Sequence, residues 1–411
     1  MDLLIKNCNL VSGETKDIAI KGNKIAAVEY DISSEAKNVI DATGKLVSSP
    51  FVDSHFHMDA TLSYGTPRIN KSGTLLEGIK LWGELKSIQT REDIILRALK
   101  YCRHAVSKGI LAIRSHVDVT DASFNTVEAL LEVRDLVKDV IDLQLVAFPQ
   151  DGWFRANGAE ESVIRALDAG VDIIGGIPHF ERTMTDGTMS VRRACELAAE
   201  RGLMVDLHCD ESDDPMSRHI ETLASETIRF GLNGRTVGSH LTSMHSMDNY
   251  YVSKLISLIA EAEVSVIANP LINITLQGRM DTYPKRRGLT RVPELHAAGI
   301  NLAFGLDCVQ DPWYSLGNAD MLGVASMGLH VAQMTSPEGI RNAFEMVTSK
   351  PALIMGLDYG IEKGKIANLV ILNAKDPIEA IRDQSERLFV ISKGKLVAQT
   401  TPALSKLEPV F

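Results

Sequence analysis

Eight short apolar runs rich in Val and Ile, alternating with amphipathic stretches, constrain this 411-residue chain more than any other feature. They lie at 46–55, 110–117, 141–148, 171–177, 204–208, 235–240, 264–269 and 301–305. Continuous apolar runs of this length suit strands buried on both faces, as in a parallel sheet. The stretches 126–140, 162–169 and 190–201 between them carry helical periodicity. Eight strand units alternating with helices predict an α/β (β/α)8 TIM barrel. A doubly wound sheet fits less well, because no GxGxxG follows the first run.

The two chain ends read differently from the middle and like each other. Short strand patterns occupy 3–5, 17–20, 24–28 and 39–41, with a turn signal at Gly22-Asn23. They return at 369–372, 388–392 and 395–398, with turns near Gly364 and Gly394. These ends are expected to pair into one small β-sandwich, 1–50 plus 361–411, flanking a barrel of 51–360.

The formal net charge of −10 argues against a nucleic-acid partner, because phosphate binding needs a basic face. A nucleobase carries no phosphate and stays open as a substrate. The five cysteines are odd in number and no pair has CxxC spacing, so a reducing cytoplasm is expected. The N-terminal residues lack signal-peptide architecture. No apolar run reaches about 18 residues, so no membrane span is expected. The apolar outer helices permit a homo-oligomer.

His55 and His57 close the first run. In a strand, residues i and i+2 point to one face, so both imidazoles project from the strand's C-terminal end, where barrel active sites form. Taken alone, an HxH pair is also compatible with two surface histidines near a turn. Other strand ends carry the same chemistry, however: His208 ends the fifth run, His240 the sixth, and Asp307 follows the eighth. Three neutral imidazoles and a carboxylate suit Zn or Fe(II). Singly, each later residue has an alternative as a buried, hydrogen-bonded polar group, His240 above all.

This order of HxH, His, His and Asp resembles the amidohydrolase superfamily. More narrowly, the chain is similar to the bacterial cytosine deaminase family and its 5-methylcytosine deaminase-like branch. The matching stretches are Phe148-Pro149-Gln150, Ile177-Pro178-His179-Phe180-Glu181, His208-Cys209-Asp210-Glu211, Asn269-Pro270-Leu271, Leu276-Gln277-Gly278-Arg279, Tyr283-Pro284-Lys285-Arg286-Arg287-Gly288 and Asp311-Pro312-Trp313-Tyr314. They run in order along nearly the whole barrel. The resemblance implies one divalent ion per subunit, Zn or Fe(II), held by His55, His57, His208 and Asp307. It implies a hydrolytic deaminase in which a metal-activated hydroxide attacks C4 of a free aminopyrimidine and releases ammonia.

The resemblance also assigns roles. Glu211 carries a proton to N3 and then to the leaving group; by itself it sits in an acidic run that reads as a solvated loop. His240 hydrogen-bonds the attacking water and helps deprotonate it beside Asp307. Gln150 ends the third strand, and a carboxamide donates and accepts at once, as the C2 carbonyl and adjacent nitrogen of a pyrimidine require. Trp313 is placed to cover a flat ring, although aromatic residues more often serve packing. His179 lies in a family-like motif without an assigned role.

One departure stands out. The family's metal-binding Asp is followed by a second Asp, whereas Asp307 is followed by Cys308. A thiol behaves as a small hydrophobe and opens an apolar space where the family has a charge. That space is expected to accept the C5 methyl of 5-methylcytosine, giving thymine, with cytosine giving uracil. Isocytosine, isoguanine and creatinine are alternative substrates, and a barrel that binds without catalysis is an alternative of another class. A dihydropyrimidinase-like site needs a lysine on the fourth strand, and 171–177 has none.

Overall fold

The computed structural model describes residues 1–403 and Ser405. Eight parallel strands follow one another in sequence order around a ring: β1 (Phe51–Phe56), β2 (Ile110–Asp118), β3 (Asp142–Phe148), β4 (Ile173–Gly176), β5 (Met204–Cys209), β6 (Thr236–His240), β7 (Ser265–Ala268) and β8 (Leu302–Phe304). A bridge between Phe56 and Asp307 closes the ring. There His57 N donates to Asp307 O at 3.0 Å, and Asp307 N donates to His55 O at 2.8 Å. The expected (β/α)8 barrel is therefore what the chain forms.

Period-two alternation sorts the side chains of each barrel strand. On β2, Ile113 and Val117 join the core packed beneath the outer helices. Ala112, Arg114, His116 and Asp118 take the other face. The barrel floor is apolar, with Val52, Ala112, Ala352 and Met355 in one cluster and Val237, Ile267, Ala303 and Ile354 in another. Above it lies a charged layer: buried Arg114 donates to Asp206 Oδ2 at 2.9 Å, to Gln144 Oε1 at 3.0 and 3.1 Å, and to Ile354 O at 3.1 Å. Arg114 and Asp206 thus pair with each other, as burial of charge demands.

Strands from both chain ends form one mixed sheet of eight strands. Leu46–Ser48, from the N-terminal part, pairs antiparallel with Leu369–Leu372, Val47 opposite Ile371. The sequence reading of 46–55 as a single strand needs correction. Leu46–Ser48 belongs to the terminal sheet and Phe51–Phe56 to the barrel. Pro50 stands between them and has no N–H to continue a ladder. Part of the expected terminal unit, Leu404 and 406–411, lies outside the described residues.

Two helices that the apolar runs did not mark, Leu75–Lys86 and Arg91–Ser107, separate β1 from β2. Thr90 and Asp93 form a reciprocal capping box at the second. The first places Leu75 and Trp82 beside the mouth of the barrel. Among the described residues, no helix is long and apolar enough to cross a membrane.

Candidate functional site

The upper ends of the strands bring the expected ligands together. His55, His57 and His208 have ligand atoms within 4.8 Å of one another, and so do His55, His240 and Asp307. Asp307 Oδ1 lies 3.7 Å from His55 Nε2 and 3.5 Å from His57 Nε2. His57 Nε2 and His208 Nε2 face each other at 3.0 Å.

The hydrogen bonds fix which nitrogen of His55 is free. Asp206 keeps its carboxyl below the ordinary range: burial pushes it up, but His116 and Arg114 outweigh that. A carboxylate only accepts, so the Ser239 hydroxyl donates to Asp206 Oδ1 at 3.1 Å. Its oxygen then accepts Nδ1–H of His55 at 2.9 Å. The lone pair of His55 is therefore on Nε2, which is buried and has no hydrogen-bond partner.

The electrostatics fit a cation. Burial first, then neighbouring imidazoles, drives His55, His57 and His208 well below the usual histidine range, so each ring is neutral. Burial first, then the nearby Glu211, drives Asp307 well above the carboxylate range. Neutral imidazoles aimed at a buried carboxyl are a donor set for a divalent ion, and the ion's charge would restore the carboxylate.

Beside the cluster lies a small pocket. Gln150, Glu211, His240 and Asp307 give it polar groups. Ile272, Leu276, Cys308 and Trp313 belong to one apolar cluster and line it as well. All of the proposed site residues are thus in one place. The acidic run is not a solvated loop at its start. Asp210 and Glu211 are both buried, and burial raises the Glu211 carboxyl well above its ordinary value. Asp210 Oδ1 accepts from His219 N at 3.0 Å and Oδ2 from Ile220 N at 2.9 Å, capping the next helix and holding the loop that carries Glu211.

Other residues prop up the pocket. Glu181 takes backbone N–H groups of Phe154 and Arg155, at 3.3 and 3.0 Å, and so fixes the loop after Gln150. Lys86 ties Asp151 to Asp118 at 2.6 and 3.1 Å on the same side. Asp311 Oδ1 accepts from the backbone of Trp313 and Tyr314, each at 2.9 Å, turning the indole inward. Gly78 makes room for it, since a Cβ there would fall 2.3 Å from Trp313 Cδ1. His179 does not line the pocket. Its ring is held neutral by burial, with a pKa of about 4, and its Nδ1–H donates to His208 O at 3.0 Å.

Sequence reasoning missed His116. Its ring nitrogens lie within the same 4.8 Å cluster as His55, His57 and His208, and its Nε2 is 3.5 Å from Asp206 Oδ1. The signal was present: Arg114, His116 and Asp118 interrupt an apolar strand at two-residue spacing. Ser239, Asp206, Asn269 and Asn273 were also passed over as site residues.

The comparisons agree with this geometry. The family model described as "Amidohydrolase family" matches residues 38–398. The fold is similar to that of 5-methylcytosine deaminase from Klebsiella pneumoniae solved with 5-fluorocytosine. The identity is 40%, the coverage 98% of this chain and 99% of that one, and the TM-score 0.95. N-isopropylammelide isopropyl amidohydrolase from Pseudomonas sp. (strain ADP) is 31% identical, over 97% of both chains. Pterin deaminase from Rhizobium rhizogenes is 30% identical over 90% of this chain and 85% of its own.

Proposed function

The chain belongs to the amidohydrolase family, and we propose that this metal-dependent hydrolase deaminates a free aminopyrimidine base, 5-methylcytosine to thymine and cytosine to uracil. The observation that carries the reading is one small pocket that joins the ligand cluster to a protonated carboxyl, a carboxamide and an apolar wall. The relative at 40% identity, solved with a cytosine analogue, supports the same substrate class.

His55, His57, His208 and Asp307 would hold one divalent ion, Zn or Fe(II), whose chemistry is to bring the pKa of a water toward about 7. The remaining work falls to side chains. Burial keeps Glu211 protonated near neutral pH, so its O–H donates to ring N3 as C4 becomes tetrahedral. The carboxylate so formed collects the water's two protons in turn, passing one to the exocyclic nitrogen and keeping the other. The C4–N bond breaks, ammonia leaves, and the oxygen stays as the keto group. Gln150 donates to and accepts from the C2 side of the ring. Trp313 covers its face. Cys308, buried among Ile272, Leu276 and Trp313, leaves an apolar space for a C5 methyl, where a carboxylate would be desolvated against it.

Residues 51–360 supply the site, and 1–50 with the described residues of 361–411 form the β-domain beside it. The five cysteines are buried and unpaired, which supports a cytoplasmic setting.

The test is metal analysis together with ammonia release from cytosine, 5-methylcytosine, isocytosine, isoguanine and creatinine. N-isopropylammelide joins the panel because of the relative at 31% identity, with release of isopropylamine as its readout in place of ammonia. Fully metal-loaded protein that releases ammonia from none of them would remove the deaminase reading.

A further inference from the structure

Asn269 and Asn273 lie one helical turn apart, Asn269 just before the short helix Pro270–Leu276 and Asn273 within it. Both are fully buried against His240. The backbone N of Asn269, which can only donate, lies 3.1 Å from Asn273 Oδ1. That contact leaves no freedom in the Asn273 amide: turned over, it would set its NH2 against an N–H. Its Nδ2 is therefore the atom 2.9 Å from His240 Nδ1, and it donates there. His240 Nδ1 thus carries a lone pair. An imidazolium would oppose two donors across 2.9 Å, and Glu211 Oε1, at 3.6 Å, is too far to compensate. The single proton of the neutral ring is on Nε2, which points to Asp307 Oδ2 at 3.8 Å.

We propose that Asn273 is a positioning residue that sets the tautomer of His240, so that His240 serves the reaction as an N–H donor and not as a base. The proposal rests on the deaminase reading of this pocket. An Nε2–H steadies the attacking oxygen by a hydrogen bond but cannot take its proton. Proton removal falls to the Glu211 carboxylate. Asn269 packs on the ring without selecting a tautomer: its Nδ2 is 3.3 and 3.4 Å from the two ring nitrogens, and Gly305 admits its Oδ1, which a Cβ there would approach to 2.4 Å.

Two substitutions separate this role from a merely structural one. Asn273→Asp keeps the shape and the acceptor for Asn269 N but draws the ring proton to Nδ1. Asn273→Ala removes the donor, leaves the tautomer free to adjust, and opens a cavity with an unpaired N–H. Tautomer control predicts a kcat loss of about 100-fold or more for Asn273→Asp, with KM and bound metal little changed, and a smaller kcat loss for Asn273→Ala. A structural role predicts the reverse order. The second readout needs no substrate: 15N NMR of histidine-labelled, zinc-loaded protein in mildly alkaline buffer. The expected result is an unprotonated Nδ1 on His240 in the wild type and a protonated one in Asn273→Asp. A protonated Nδ1 in the wild type, or an Asn273→Asp variant with full kcat, would overturn the proposal. Failure of the deaminase reading itself would show instead as wild-type protein inert across the substrate panel.

Discussion

His55 Nδ1 lies 2.9 Å from Ser239 Oγ, joining strand β1 to strand β6 across the barrel interior. Through the hydroxyl, the buried Asp206 carboxylate dictates which nitrogen of His55 is left for an ion. Ser239→Ala breaks that relay without removing a ligand. Partners of this kind are worth about 10–100-fold in metal affinity. The expected outcome is a loss of that size in a chelator competition, with the far-UV circular dichroism unchanged.

Glu211 is buried, and its carboxyl is raised by that burial. A carboxyl that must donate is active below its folded pKa and is lost as pH rises through it. The prediction is that kcat falls on the alkaline side and that Glu211→Gln abolishes this limb. The variant should lose about 100–10,000-fold in kcat while keeping its metal. Ammonia release against pH, alongside metal analysis, measures both.

Cys308 tests the choice of substrate. Cys308→Asp should lower kcat/KM for 5-methylcytosine relative to cytosine by about 10–200-fold, the range one methyl group commands in a fitted apolar pocket. Competition between the two bases in one reaction reads the ratio directly. An unchanged ratio would assign the methyl group to another part of the pocket.

Asp320 and Arg387 bind the barrel to the terminal sheet. Arg387 Nη1 lies 3.2 Å from Asp320 Oδ2, and both side chains are nearly buried. Burial raises the Asp320 carboxyl, but Arg387 outweighs it, and the folded pKa lies below the ordinary carboxylate value. A group depressed on folding stabilises the protein above its unfolded pKa and ceases to do so as pH falls through the folded value. Asp320→Asn keeps the helix cap but leaves Arg387 buried without its counter-charge. It should cost about 3–5 kcal/mol near neutral pH, with the gap to wild type narrowing below about pH 4. Urea unfolding at both pH values measures this.

The barrel and its ion ligands were legible because both obey local rules. Apolar runs mark strands, and the candidate ligands His55, His57, His208 and Asp307, with His240 beside them, fall at their ends. What stayed hidden depends on contacts between residues far apart in sequence. Ser239 reads as a small strand residue until Asp206 and His55 are seen beside it. Glu181 gives no sign that it serves a loop 26 residues earlier. Asn269 was noticed as part of a motif, yet its bearing on His240 depends on the amide of Asn273. By composition alone Glu211 reads as solvated, since an acidic run says nothing of which members face inward; the family resemblance is what singles it out.

The bridge between Phe56 and Asp307 has a consequence for how such an enzyme diverges. Ligands from the first and last barrel strands are registered by the main-chain hydrogen bonds that shut the ring. Their spacing is thus a property of the backbone seam, insulated from the loops that shape the pocket. Substitutions at Cys308, Ile272 or Leu276 would reshape the pocket wall and leave that seam unchanged. A lineage built this way explores new substrates without having to reinvent its nucleophile.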